Sequence, residues 1–312
     1  MKPALDATTV LELIEQAEQA LIEAEVSFGH GTTNAFDEAA WLVLWRLGYA
    51  LDRPLEGPEG IGADPVDAAA REAVLALLRE RIERRVPAAY LTREAWLQGV
   101  PFYVDERSIV PRSLIAELIS GGALEPWLRE DTRSVLDLCT GNGSLAVLAA
   151  LAYPEVQVVA ADISSEALEV ARINVARHRL HERIQVVASD GFSAVPGIFD
   201  LIVCNPPYVN EQSMAQLPAE YRAEPTLALA GGPDGMRFVR QLLREAPLHL
   251  AEYGVLVLEV GHERANFEAA FPGLEVVWLE TSAGDDQVLL TTREAIEHAV
   301  LNGLNLSAAP TP

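Results

Sequence analysis

Apolar residues in the first hundred positions recur with a helical period. Val10, Leu13, Ile14, Ala17, Leu21 and Ala24 are spaced as one face of a 3.6-residue turn requires. Thr9 and Glu12 precede that face with capping-box spacing. Asn34 and Asp37 mark a second helix start, leading into Trp41, Leu42, Leu44, Trp45 and Leu47. Both tryptophans read as helix core. A Pro/Gly-rich loop runs from Pro54 to Gly62. Asp64 is then expected to cap a third helix with Pro65 in its first turn and Val74, Leu77, Leu78 and Ile82 as its stripe. Pro87 ends it.

The pattern changes near residue 94. Ala95-Trp96-Leu97, Gly99 and Phe102-Tyr103-Val104 read as a small hairpin. Pro111-Arg112-Ser113 opens a short helix from Leu114 to Ile119. From Ser134 onward, short apolar runs alternate with amphipathic stretches. Runs at 135–139, 156–162, 184–188, 199–204 and 255–260 predict strands, and helices are expected near 144–152, 165–179, 234–252 and 263–270. Such alternation means a parallel, doubly wound sheet. The last two runs, 274–280 and 287–292, are too close for a crossover helix, so they must pair antiparallel. The expected fold class is α/β: a Rossmann-like, doubly wound sheet with an antiparallel terminal hairpin, which resembles class I methyltransferases, plus a small N-terminal helical domain. The division expected is a helical substrate-recognition domain at 1–93, a β-hairpin linker at 94–113, the sheet domain at 114–298 and a flexible tail at 299–312.

Composition narrows the function. With 312 residues, 50% of them hydrophobic, the chain can bury a core without disulfide or metal staples. Its formal charge is −23, with −9 before Pro111 and −14 from there on. A surface of that sign repels a phosphate backbone, which argues against direct binding of duplex DNA. It suits a basic protein partner, although an acidic surface that only confers solubility would read the same. The two cysteines, Cys139 and Cys204, point to a reducing compartment. They end strands one and four, so two neighbouring reduced thiols are expected. The first residues lack an apolar signal region, and no run approaches the roughly 18 apolar residues of a membrane span. The expectation is a cytoplasmic protein without a membrane partner.

A turn of nucleotide-binding type joins strand one to its helix: Asp137-Leu138-Cys139-Thr140-Gly141-Asn142-Gly143-Ser144. Glycines let the backbone approach a ligand closely. Asp162 ends strand two, where a carboxylate can accept both ribose hydroxyls. Asp190 follows strand three, placed to reach an adenine amino group. Gly141-x-Gly143-x-x-Ala146 also fits a dinucleotide fingerprint, and either aspartate could merely cap a helix. No Arg or Lys stands in the turn, and a pyrophosphate usually attracts one. That favours S-adenosylmethionine, left as S-adenosylhomocysteine, over a nicotinamide.

Asn205-Pro206-Pro207-Tyr208 follows strand four directly. Strands one and four meet at the switch point where doubly wound sheets bind ligands. Pro206 pushes Asn205 into an extended conformation, and each proline offers a carbonyl but no N–H. The rim therefore presents acceptors: the Asn205 side-chain oxygen and the Pro206 carbonyl. Two acceptors can grip the two N–H bonds of an amide, hold it in line with a methyl–sulfur bond and favour localisation of its lone pair. Tyr208 would wall the substrate and face the cationic methyl group. Asn-Pro-Pro is also ordinary loop chemistry, but here it lies beside the cofactor turn.

The tetrapeptide on such a sheet resembles the amino-methyltransferases of adenine bases and of protein glutamine. Phe102-Tyr103-Val104-Asp105-Glu106-Arg107 and Val110-Pro111-Arg112-Ser113 resemble the linker of the protein-(glutamine-N5) methyltransferases of HemK/PrmB type. Glu224-Pro225, Ala228-Leu229 and Gly231-Gly232-Pro233-Asp234-Gly235 resemble the loop after their Tyr. Within that family, Gly29-His30-Gly31-Thr32, Asp37-Glu38-Ala39 and Pro87-Ala88-Ala89-Tyr90-Leu91-Thr92 are similar to the branch that methylates large-subunit ribosomal protein L-three. Ser113 and Cys139 agree, standing where the release-factor branch usually has Pro and Gly. Gly191 stands where that branch often has a Trp against the adenine. The resemblance covers about residues 26–295. It implies that Thr140, Gly141, Asn142, Gly143, Asp162, Asp190 and Asn205 contact the cofactor, flanked by Cys139 and Gly191. It implies that Asn205, Pro206, Pro207 and Tyr208 bind the glutamine, with Asn205, Pro206 and Tyr208 carrying the chemistry. No metal is implied. The alternatives are release factors as substrate, or adenine in nucleic acid, which needs phosphate contacts this acidic chain does not offer. A non-catalytic module on the same fold would have no use for the complete tetrapeptide. His30 reads as a loop imidazole rather than a substrate-reading residue.

Overall fold

The computed structural model describes residues 5–307. The chain falls into two compact units. One holds the residues up to Ala95 together with Pro218–Ala223; the other holds Trp96–Leu217 and the chain from Glu224 onward.

The first unit is helical: α1 (Val10–Glu23), α2 (Ala35–Leu47), α3 (Ala68–Glu83) and α4 (Ala88–Thr92). The capping box at Thr9 and Glu12 is formed, and Val10, Leu13, Ile14, Ala17 and Leu21 are buried. Asn34 caps α2 through a bond from the Asp37 N–H. Trp41 is buried but Trp45 is 37% exposed. It stands in the last turn before the Gly48 cap, where the helix runs out of core to cover. α3 starts three residues later than expected, because Asp67 and not Asp64 caps it. Asp64 instead accepts from the Tyr49 hydroxyl at 2.8 Å. The buried face of α3 is Val74, Leu75, Leu78 and Arg81, rotated from the expected stripe around the buried arginine.

The boundary between the units falls within β1 (Ala95–Leu97), which forms a two-stranded hairpin with β2 (Val100–Phe102). Leu97 and Phe102 belong to one core cluster with Val135, Val158 and Leu201 of the central sheet, so the hairpin is a packed part of the second unit rather than a linker. After α5 (Ile115–Ser120) come β3 (Ser134–Leu138), α6 (Ser144–Ala152), β4 (Gln157–Asp162), α7 (Ser165–Arg177), β5 (Ile184–Ala188) and β6 (Phe199–Cys204). A short excursion follows: β7 (Val209–Asn210), α8 (Glu211–Gln216) and β8 (Ala230–Gly232), with β7 and β8 pairing parallel. The chain ends with α9 (Arg237–Glu245), β9 (Leu250–Glu259), α10 (Arg264–Ala270), β10 (Val277–Thr281), β11 (Gly284–Thr292) and α11 (Arg293–Leu301).

The sheet has seven strands in the order β10-β11-β9-β6-β3-β4-β5. β3 to β6 and β9 run parallel, whereas β11 pairs antiparallel with both β9 and β10. The doubly wound sheet with an antiparallel terminal pair is therefore the one its hydrophobic pattern predicts. Two lengths differ. The helix expected at 234–252 stops at Glu245, because Pro247 cannot continue it, and β9 begins at Leu250. The tail expected from residue 299 is not loose at its start: α11 reaches Leu301, and Leu306 is buried. The rest of that expected tail, from 308 to 312, lies outside the described residues. Among the described residues, no helix is long and apolar enough to cross a membrane.

Candidate active site

The parallel strands all deliver their carboxyl ends to one edge of the sheet, and the predicted site residues gather there. Leu138 is opposite Cys204 in the β3–β6 register, so Cys139 and Asn205 leave adjacent strands side by side. Cys139 turns the chain with a left-handed φ of 62°. Its thiol is raised well above its ordinary range, first by hydrogen bonding with Cys204 and then by burial. Both cysteines are free, as expected for two neighbouring reduced thiols.

Beyond Cys139 the turn closes on itself. The Thr140 N–H reaches the Ala161 carbonyl on β4 at 3.0 Å, and the Gly143 N–H reaches the Thr140 carbonyl at 2.9 Å. The Thr140 hydroxyl and the Ala146 N–H both donate to Asp137 Oδ2. Asp137 is almost fully buried, and desolvation pushes its carboxyl up to about 7. Its Oδ1 and the Asn142 Nδ2 are buried without a hydrogen-bond partner. Asn174, fully buried, secures the turn from behind: its Nδ2 donates to the Asn142 and Tyr103 carbonyls, both at 2.9 Å, and its Oδ1 accepts the Tyr103 N–H at 2.7 Å.

A cavity opens in front of the turn. Of the residues expected to hold a cofactor, Cys139, Gly141, Asp162, Asp190, Gly191 and Asn205 line it. Thr140, Asn142 and Gly143 do not; all three are buried behind the turn, and Gly143 starts α6 with φ 80°. Asp162 accepts the Gly141 N–H at 2.9 Å and the Ser164 N–H at 2.8 Å. Burial pushes its carboxyl up. Asp190 is exposed to the cavity mouth. Gly191 adopts φ 55°, and a Cβ there would stand 2.5 Å from Gln241 Nε2. A side chain at this position would strain the left-handed backbone and require Gln241 to swing aside.

Several lining residues have no counterpart among the predicted ones. Ile163, Ala167 and Phe238 supply apolar walls, and Arg107, Ser108 and Ile109 close one side. Pro225, Leu227 and Ala228 also line the cavity. Ile163 carries a signal that sequence could have offered, an aliphatic residue directly after the strand-ending Asp162. Phe238 carries none, because it arrives from a distant helix. The set fits an adenosine-bearing cofactor: apolar walls for a flat base, and carboxylates for hydroxyl and amino groups.

Next to the cavity stands Asn205-Pro206-Pro207-Tyr208. Asn205 and Pro207 line the cavity, Pro206 is buried, and Tyr208 is half-buried. The structure thus puts the rim and the cavity in contact through Asn205 and Pro207, of which Asn205 carries the side-chain acceptor. Two carboxylates brace this edge. Glu224, buried, takes a bidentate pair from Arg112 (2.6 and 2.7 Å) and the Val110 N–H at 2.9 Å. Glu259, also buried, accepts from Ser113, Leu114 and Tyr208. His30 is buried in the helical unit, its ring 4.4 Å from that of Tyr221, in keeping with a packed imidazole.

Comparison with known proteins follows the geometry. The methyltransferase small domain model matches residues 122–221. The ribosomal protein uL3 glutamine methyltransferase of Bordetella pertussis is 52% identical over 291 residues, covering 92% of this chain and 96% of that protein. The protein of the same name from Burkholderia pseudomallei is 51% identical over 294 residues, covering 90% of this chain and 94% of its own. The one from Neisseria gonorrhoeae is 46% identical over 299 residues, covering 94% and 97%.

Proposed function

The chain belongs to the family of ribosomal protein uL3 glutamine methyltransferases, and from that membership we propose that it transfers a methyl group from S-adenosylmethionine to the side-chain amide nitrogen of a glutamine in ribosomal protein uL3. Its sheet is of the class I methyltransferase fold. The relatives favour uL3 over release factors as substrate, and over adenine in nucleic acid. The net charge of −23 suits a basic substrate protein, which such a field steers toward the enzyme.

The observation that carries the reading is Asn205, which belongs to the acceptor rim and to the cavity wall at once. When bound, the cofactor supplies an electrophilic methyl group on a sulfonium. Asp162 and Asp190 would hold its ribose and adenine, with Cys139, Gly141 and Gly191 forming the floor and Thr140, Asn142 and Gly143 shaping the turn. An amide nitrogen is a weak nucleophile because its lone pair is delocalised. The Asn205 Oδ1 and the Pro206 carbonyl would accept its two N–H bonds, fix its plane and make pyramidalisation less costly as the new N–C bond forms. Pro207 stiffens the rim and Tyr208 walls the amide. The proton leaves the nitrogen after transfer, to solvent, so no general base need act first. Every lining residue of the cavity belongs to the second unit, which leaves the helical unit free to read the protein substrate.

Purified enzyme with labelled methyl donor, uL3 and release factors in parallel, and mapping of the product by mass spectrometry tests the proposal. One methyl on a uL3 glutamine is expected. Methylation confined to a release factor or to nucleic acid would overturn it.

A further inference from the structure

Glu259 is a residue that packing alone does not explain. It ends β9 in the run Val255-Leu256-Val257-Leu258-Glu259-Val260 and is 4% exposed among neighbours that are apolar and buried. A carboxyl in such a place carries a desolvation cost that an apolar residue would avoid. Burial pushes it upward in pKa, while its hydrogen bonds pull it back.

Those bonds define its task. Oε2 accepts the Ser113 hydroxyl at 2.6 Å and the Leu114 N–H at 2.9 Å; Oε1 accepts the Tyr208 hydroxyl at 3.3 Å. One oxygen is thus fixed to the segment that opens α5, and the other faces the last residue of the acceptor rim. The Tyr208 ring is seated from below as well. Gly261 has φ 53°, and a Cβ there would come within 2.6 Å of Tyr208 Cε2 and 3.0 Å of its hydroxyl oxygen. The backbone end is equally confined, since a Cβ on Gly235 would lie 2.3 Å from the Tyr208 carbonyl oxygen. Backbone and ring are each held by the lack of a side chain, and the remaining freedom, rotation of the phenol, is restricted by Glu259.

We propose that Glu259 is a positioning residue for methyl transfer: with Ser113 fixing its rotamer, its carboxylate aims the Tyr208 ring at the bound glutamine amide. This rests on Asn205–Tyr208 being the glutamine pocket. The bond acts on orientation, so its loss lowers kcat more than it raises KM.

A double-mutant cycle tests it, with uL3 as substrate. Tyr208→Phe keeps the ring and removes the donor. Glu259→Gln keeps the shape, but Ser113 and Leu114 claim its oxygen, so its amide N–H₂ faces the phenol and can only donate to it, replacing the charge-assisted bond by a neutral one of opposite direction. Each single variant is expected to lower kcat about tenfold, the worth of one hydrogen bond to a charged group, with KM for uL3 and cofactor affinity little changed. The double variant is expected to be no slower than the worse single one, because both remove the same charge-assisted bond. Should Glu259→Gln fail to fold, Ser113→Ala replaces it in the same cycle. Losses that multiply, or a Tyr208→Phe enzyme with full kcat, overturn the positioning role. A wild-type enzyme that leaves uL3 unmodified would instead overturn the proposed function, and this inference with it.

Discussion

Arg81 and Glu220, 139 residues apart, form a buried ion pair at 3.1 Å in the helical unit. Arg81 also donates from Nε to Glu38 at 2.6 Å and from Nη2 to the Ser27 carbonyl at 2.7 Å. All three side chains are at most 2% exposed. Glu220 lies twelve residues past Tyr208, within the one stretch of the later chain, Pro218–Ala223, that belongs to the helical unit. Arg81→Met should strip buried Glu38 of this ion pair and leave Glu220 with Arg85 at 3.2 Å, and cost about 3–5 kcal/mol. Urea unfolding followed by tryptophan fluorescence, with Trp41 and Trp45 in this unit, checks the loss. Neutralising the orphaned carboxyl with Glu38→Gln in the Arg81→Met background, with Glu220 still paired to Arg85, should recover part of it. A loss below about 1 kcal/mol, the scale of an exposed pair, would show that the network is not desolvated.

This network also marks where the sequence stops being readable. The parallel strands are legible because their apolar runs are bounded by polar residues and their helices have clear periods; β5 and β6 match their expected bounds residue for residue. The caps of α1 and α2 are legible for the same local reason. Asp67 as the cap of α3 is not, because Asp64 offers an equally good local signal and only its bond to Tyr49 decides between them. In the site, Asp162, Asp190 and Asn205 can be read from their places after strands. Phe238 and Glu259 cannot. One comes from a helix distant in sequence from the cofactor turn, and the other is a polar residue in an apolar run, which reads as a strand end until its partners are seen.

Arg112 and Glu224 make a further prediction. Glu224 immediately precedes Pro225, Leu227 and Ala228, which wall the cavity, and its carboxylate is anchored by both nitrogens of the Arg112 fork and by the Val110 N–H. Arg112→Lys retains the charge but supplies one point donor in place of a fork. The wall should loosen, and the cofactor Kd measured by calorimetry should rise about tenfold, the equivalent of one lost charge-assisted bond. Arg112→Met should weaken binding further. Unaltered affinity in Arg112→Lys would mean that the 225–228 wall stands without the clamp.

Asp137 predicts a pH dependence of the ligand-free protein. Its carboxyl is pushed up from 3.8 to about 7 by burial, so the folded state holds this proton more tightly than the unfolded state does. The stability it contributes is fully present below about pH 4 and is lost as pH rises toward 7. At about 1.4 kcal/mol per unit the loss is bounded near 4 kcal/mol. Asp137→Asn can keep an oxygen for Thr140 and Ala146 while removing the ionisation. Its stability relative to wild type should therefore improve from pH 4 to pH 7 and then level off, read from urea midpoints across that range. An offset independent of pH would place the ionisation elsewhere.

Asn205→Ala separates the two duties of the residue on which the proposed function turns. The substitution removes the rim acceptor but leaves the Pro206 carbonyl, the turn at 139–143 and both cavity aspartates in place. One missing preorganised group at a reacting centre costs about 10²- to 10³-fold in kcat, and for an amide held at two points the loss should reach at least the upper end. Cofactor affinity should fall far less, because Asn205 is one of many residues lining that cavity. Single-turnover methylation of uL3 with saturating cofactor, beside a calorimetric titration of the cofactor alone, gives both numbers on one preparation. A variant that binds the cofactor normally and turns over normally would remove Asn205 from the chemistry. A variant that loses cofactor binding and kcat in equal measure would assign it to the cavity rather than to the amide.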